Sequence, residues 1–193
     1  MDLDFKLFQL INQFAGKNEL LDQLVILFTK YGPLLFMLAF VWLWFTMKGN
    51  RYENRKIVLF AITIAFITIG IDKIIEMSFF RERPFVQHDV TMLIDKTNDD
   101  PSFPSNHAAG SFALAFTVFW FRRKAGAIFI AFSTLMALSR LYVGVHYPLD
   151  ITAGMLIALT VAMIILWKRD LFDRLFHFVI KTINQLPQKF SFK

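Results

Sequence analysis

The 193-residue chain contains no cysteine. That excludes disulfides, thiolate nucleophiles and cysteine-ligated metal centres. Charge is sparse too, with only 19% of residues charged, and there is no internal repeat, low-complexity tract or inter-domain linker. The opening stretch MDLDFK is acidic rather than basic ahead of any apolar run, unlike a cleavable signal peptide. What the chain has in quantity is apolar surface: 56% hydrophobic residues, 24 Phe and 8 Met, with a positive mean hydropathy. A soluble core of this length does not need so much, so the composition predicts an integral membrane protein formed as one domain over 1–193.

Five apolar runs, at 31–47, 57–79, 107–121, 125–141 and 149–167, predict an all-α, polytopic bundle of five transmembrane helices. The third run is short, and its helix is expected to begin near Ser105. A sixth span over 20–30 is the alternative, weakened by Asp22, Gln23 and Lys30. Residues 5–14 and 171–186 are apolar at helical spacing but polar throughout, which predicts amphipathic terminal helices at the interface or against the bundle.

The formal charge of +6 reads as membrane orientation rather than nucleic-acid binding. Lys48, Arg51, Arg55 and Lys56 crowd one connector, Arg122, Arg123 and Lys124 the next, and the tail from Lys168 is basic. Loop 80–106 is instead acidic on balance, through Glu82, Asp89, Asp95, Asp99 and Asp100. Basic excess alternates with its absence, which predicts the N-terminus outside and the C-terminus inside. Arg83, His107, Arg140, His146 and Asp150 then share the external membrane edge.

Three short stretches carry chemistry. In PSNH, Pro104 and Ser105 stand where a loop becomes a helix, whose free amides and dipole suit an anion. Taken alone, this stretch reads first as simple capping, with His107 at the polar edge. In SRLYVGVHYPLD, Arg140 lies beside an apolar run, where a guanidinium needs water or a partner. There His146 and Asp150 are four apart, so a carboxylate can hold one imidazole nitrogen and leave the other free as a nucleophile. In RERPF, the fork of Arg83 matches phosphate oxygens. Taken singly, each is also readable as a snorkelling arginine or a structural His–Asp pair. Taken together at one membrane face, they describe a phosphoryl pocket with one histidine to attack and another to protonate the departing oxygen. Arginine clamps stabilise the equatorial oxygens without a metal.

These residues resemble the type-2 phosphatidic-acid phosphatase superfamily, whose pattern runs Lys-x6-Arg-Pro, Pro-Ser-Gly-His, Ser-Arg-x5-His-x3-Asp. Arg83-Pro84 match the end of the first element, Pro104, Ser105 and His107 the second, and Ser139, Arg140, His146 and Asp150 the third in full. The likeness spans about residues 70–165. Glu76 stands where the pattern has Lys, and Asn106 where it has Gly. Lys73 or Arg81 can supply the missing charge, or Asp72, Lys73 and Glu76 can form a local charge network. Both readings stay open.

The wording RPF…FPSNH…GVHYPLD is similar to the bacitracin-resistance-type undecaprenyl-diphosphate phosphatases. That resemblance implies His146 as the phosphohistidine-forming nucleophile oriented by Asp150, and His107 as general acid and then base. It implies Arg83, Ser105 and Arg140 as phosphate contacts, with Lys73, Arg81 and Asn106 as further candidates, and no cofactor or metal. The implied substrate is a polyprenyl diphosphate lipid, hydrolysed at the extracytoplasmic face to recycle the carrier for peptidoglycan synthesis and to oppose bacitracin. Another lipid phosphate, such as phosphatidate or phosphatidylglycerophosphate, and a non-catalytic phosphate-binding protein are the competing readings. No role is assigned to His88 or His177, and Asp95, Asp99 and Asp100 read as a solvated loop.

Overall fold

The computed structural model describes residues 3–46 and 49–189, so Lys48 lies outside the described residues. Those residues form eight helices and no strand: α1 (Leu3–Asn12), α2 (Glu19–Phe45), α3 (Arg51–Ser78), α4 (Pro84–Gln87), α5 (Asn106–Phe121), α6 (Arg123–Tyr142), α7 (Pro148–Trp167) and α8 (Asp170–Lys189). The all-α membrane bundle expected from hydropathy is the fold observed. Helices α2, α3, α6 and α7 are each long and apolar enough to cross a membrane. The outer surface they leave is apolar, with Phe66, Ile74 and Ile128 exposed.

The count of spans needs two refinements. The third apolar run forms α5, whose 16 residues reach only about 24 Å at the helical rise. It is the central helix, with Ala108, Ala109, Ala113 and Ala115 fully buried and α3, α6 and α7 packed around it. Small side chains let its neighbours approach closely. A separate sixth span over 20–30 is corrected: those residues and the 31–45 stretch are one continuous 27-residue helix, α2. The polar residues do not break it because Asp22 accepts bonds from Gly16 N and Tyr142 Oη, while Gln23 and Lys30 are exposed. Asn18 caps the helix by accepting from Leu21 N.

Helix direction alternates through α2, α3, α5, α6 and α7, so the bundle has two ends. One end gathers α1, loop 79–105 and the segment 143–147. Asn12 of α1 ties them by donating to the carbonyls of Thr91 and Tyr142. The other end carries α8, held to α3 by the Lys56–Asp173 ion pair at 2.8 Å and by Phe176 packed edge-on against Phe60. Both terminal helices are amphipathic as predicted. α1 buries Phe5 and Phe8 and exposes Leu3, Leu7 and Leu10.

Candidate active site

At the α1 end, three helix termini converge. Ser105 precedes α5 in extended conformation, and its backbone N–H donates to the Asp150 carbonyl in the first turn of α7 (3.0 Å). A Cβ added at Gly154 on α7 would come within 2.9 Å of the Ser105 carbonyl, so the glycine lets α7 lie against the α5 N-terminus. Arg140 closes α6. Between α6 and α7, Gly144 adopts φ +85°, and a Cβ there would meet the Thr91 carbonyl oxygen at 2.4 Å. Only glycine satisfies both the turn and the close approach, and that turn sets the direction of His146.

His146 is buried. Its Nδ1 lies 2.8 Å from the Ser102 carbonyl oxygen and 3.6 Å from Asp150 Oδ2. The carbonyl can only accept, so Nδ1 carries the proton and Nε2 keeps its lone pair. On that side stands Arg83 Nη1, at 3.4 Å. Burial pushes the imidazole down to about 4, with the Arg140 and Arg83 charges acting the same way and the nearby Asp150 carboxylate opposing them. The ring is therefore neutral at physiological pH, the state a nucleophile needs.

Arg83 is itself fixed by backbone: Nη1 donates to Val145 O (2.8 Å), Nε to Asp100 O (3.0 Å) and Nη2 to Pro101 O (2.9 Å). Arg140 donates from Nη1 to Thr29 Oγ1 of α2 at 2.8 Å, and its buried Nε has no hydrogen-bond partner. The buried Ser105 hydroxyl likewise has none, although Ser105 occupies the N-cap. His107, in the first turn of α5, lies within electrostatic range of Arg140, His146 and Arg83. The structure thus brings His107, His146, Arg83, Arg140 and Ser105 to one end of the bundle. Two fixed guanidiniums, a hydroxyl, helix-end amides and two imidazoles can bind a phosphoryl group and move protons around it.

The remaining sequence candidates are placed differently. Arg81 donates to Asp150 Oδ1 (2.6 Å) and Asp4 Oδ2 (2.5 Å), and Lys73, largely exposed, pairs with Glu76 at 2.9 Å. Both cations are committed to carboxylates rather than to the pocket. Asn106 donates from Nδ2 to Glu76, and its buried Oδ1 is unpartnered. Of the charge network expected from Asp72, Lys73 and Glu76, the Lys73–Glu76 pair forms, and Asn106 joins it. Asp72, fully buried, makes no hydrogen bond within it.

Asp150, whose side chain is 0% exposed, accepts from Ser102 Oγ (2.5 Å) and Tyr147 N (2.7 Å) as well as from Arg81. Ser102 is the residue that motif reasoning missed. Its carbonyl sets the His146 tautomer while its hydroxyl reaches Asp150. Thr29, the anchor of Arg140, was missed as well. Neither sits at a motif spacing, and the only signal was a polar residue in an otherwise apolar or Pro-flanked stretch.

An apolar groove leaves the site between α2, α3 and α5. Its first stretch, about 320 Å³, runs from His107 and Asn106 past Ile69 and Gly110 to Phe36. The second, about 520 Å³, shares Pro33, Phe36 and Leu114 with the first and continues to Trp44 and Phe45 at the far end of α2.

A cationic pocket able to take a phosphoryl group, at the end of an apolar helical bundle, is what a membrane phosphatase of lipid phosphates requires. The chain belongs to the PAP2 superfamily, whose family model matches residues 57–173. It is 29% identical to undecaprenyl-diphosphatase BcrC of Bacillus subtilis strain 168 over 97% of each chain. It is 31% identical to the bacitracin transport permease protein BcrC of Bacillus licheniformis, over 86% of this chain and 80% of that one. Among solved structures, Aquifex aeolicus LpxE superposes with TM-score 0.72 at 28% identity, covering 86% of this chain and 96% of that one.

Proposed function

We propose that this protein hydrolyses undecaprenyl diphosphate to undecaprenyl phosphate and inorganic phosphate through a phosphohistidine. His146 Nε2 attacks the terminal phosphorus as the bond to the bridging oxygen breaks. His107, as the imidazolium, gives its proton to that departing oxygen. The charge of the bound phosphate favours the protonated form of a neighbouring imidazole. Arg83, Arg140 and Ser105 hold the equatorial oxygens. His107, now neutral, takes a proton from water, which attacks phosphohistidine, releases inorganic phosphate and restores His146. No metal enters any of these steps.

The observation that carries this reading is the His146 ring, whose Nδ1 is spent on a carbonyl while Nε2 is turned to a guanidinium. The groove supports a long-chain lipid, since a polyprenyl tail can lie along α2 and α3 while its diphosphate reaches His107. The diphosphate itself is favoured by the Bacillus subtilis relative, aligned nearly end to end. The charge pattern of the connectors supports an extracytoplasmic site with the N-terminus outside, in a bacterial plasma membrane. In that position the enzyme recycles the lipid carrier for wall synthesis and lowers the diphosphate that bacitracin binds. The chain then acts as one domain.

The test is phosphate release by purified protein from undecaprenyl diphosphate, farnesyl diphosphate, phosphatidate and phosphatidylglycerophosphate, each with wild type and His146→Ala. The expected result is the highest kcat/KM for undecaprenyl diphosphate and no turnover by the variant. A preference for phosphatidate or phosphatidylglycerophosphate overturns the substrate assignment, and an active His146→Ala overturns the mechanism.

A further inference from the structure

We infer that Arg81 and Asp4 are positioning residues, through which the N-terminal helix α1 holds the Asp150–His146 unit in register. This rests on the reading of His146 as nucleophile.

Asp4, in the first turn of α1, is only 4% exposed. It grips the first turn of α7 twice. Its Oδ1 accepts from Leu149 N at 2.9 Å, and its Oδ2 accepts from Arg81, whose other terminal nitrogen donates to Asp150 Oδ1. The Arg81 guanidinium also lies 4.1 Å from the centroid of the Tyr147 ring, and Tyr147 packs against Phe5 and Phe8 of α1. One planar cation thus sits between two buried carboxylates and against the residue that follows His146. Its fork suits this two-acceptor position, which an ammonium cannot fill with the same geometry.

Charge explains why the arrangement matters to a histidine that Arg81 does not touch. Without Arg81, Asp4 and Asp150 face each other with no cation between them, and a buried carboxylate left unpaired is strongly unfavourable. The first turn of α7 then shifts to let one of them reach water. Asp150 also anchors the Ser102 hydroxyl and the Tyr147 amide, so a shift there moves the Ser102 carbonyl that orients His146. The residue at the far end of the chain from the histidine motif therefore governs the aim of Nε2.

The experiment uses full-length protein in detergent, with undecaprenyl diphosphate as substrate and folded protein quantified by thermal unfolding. Arg81→Met and Asp4→Asn are each expected to lower kcat roughly tenfold or more, while KM changes less than about threefold. Arg81→Lys is expected to recover part of the loss. The double variant Arg81→Met/Asp4→Asn should be no slower than Arg81→Met alone, because asparagine can still accept from Leu149 N and the charge removed at position 4 acts through Arg81. Additive losses, or full kcat in folded Asp4→Asn, overturn the inference, as does a raised KM at constant kcat, which would make Arg81 a substrate contact. His146→Ala separates the two levels: if it is inactive while the Arg81 and Asp4 variants keep full kcat, only this inference fails. If His146→Ala is active, the mechanism beneath it fails.

Discussion

Ser102→Ala isolates one hydrogen bond in the site. The backbone of Ser102 is already committed, its N–H donating to the Arg81 carbonyl at 2.8 Å and its carbonyl accepting from His146. Alanine preserves both, and the residue is fully buried, so no water replaces the lost hydroxyl. Only the 2.5 Å bond to Asp150 Oδ2 disappears. A hydrogen bond to a charged group contributes about 1.5–3 kcal/mol, and Asp150 retains Arg81 and the Tyr147 amide. The folded state should therefore lose about 2 kcal/mol, measured as a lower unfolding midpoint in detergent. Activity should fall by less than about tenfold, because the His146 tautomer depends on the carbonyl rather than on the hydroxyl. A thousandfold loss of kcat in well-folded Ser102→Ala would refute this division, since it would mean that the hydroxyl itself takes part in the chemistry.

Asp150→Asn should cost far more activity, at least a hundredfold, since one amide oxygen cannot accept from Arg81, Ser102 and the Tyr147 amide together; steady-state kinetics on the folded fraction checks it. Gly144→Ala forces a Cβ onto the Thr91 carbonyl at φ +85°, so it should lower stability by about 1–3 kcal/mol and reduce kcat, read by thermal unfolding and phosphate release. His146 titrates near 4 when folded and near 6.5 when unfolded, so the unfolded chain binds more protons between those values. Stability should be full above pH 6.5 and fall on acidification toward pH 4, by on the order of 3 kcal/mol; His146→Gln should flatten this pH dependence of the unfolding midpoint. Exhaustive EDTA treatment should leave turnover intact, and a loss restored only by Mg²⁺ or Ca²⁺ would displace the metal-free reading. A cysteine in place of Asp99 should react with a membrane-impermeant maleimide on intact cells.

The bundle was legible because its signal is local. Every long helix carries an apolar run that a sliding window detects, and both terminal helices announce themselves by 3.6-residue periodicity. The boundary of α2 was not legible. Asp22, Gln23 and Lys30 look like the end of a span, but Tyr142, from a helix more than a hundred residues away, satisfies Asp22. The motif residues were readable because Arg83, Ser105, His107, Arg140, His146 and Asp150 keep fixed spacings around helix ends, and those ends meet at one side of the bundle. What the spacing could not convey is which acceptor each imidazole nitrogen meets. The i, i+4 relation of His146 and Asp150 suggested a direct bond, whereas the chain returns through loop 79–105 and inserts the Ser102 carbonyl at the shorter distance. Arg81 was equally opaque, since its partners are contributed by residues 4 and 150.

The apolar groove between α2, α3 and α5 has a kinetic corollary. A substrate that enters sideways never leaves the plane of the lipid, so encounters occur in two dimensions. Velocity should then follow the mole fraction of substrate within the bilayer or micelle, and adding inert detergent at a fixed total amount should slow the reaction by dilution of that surface alone.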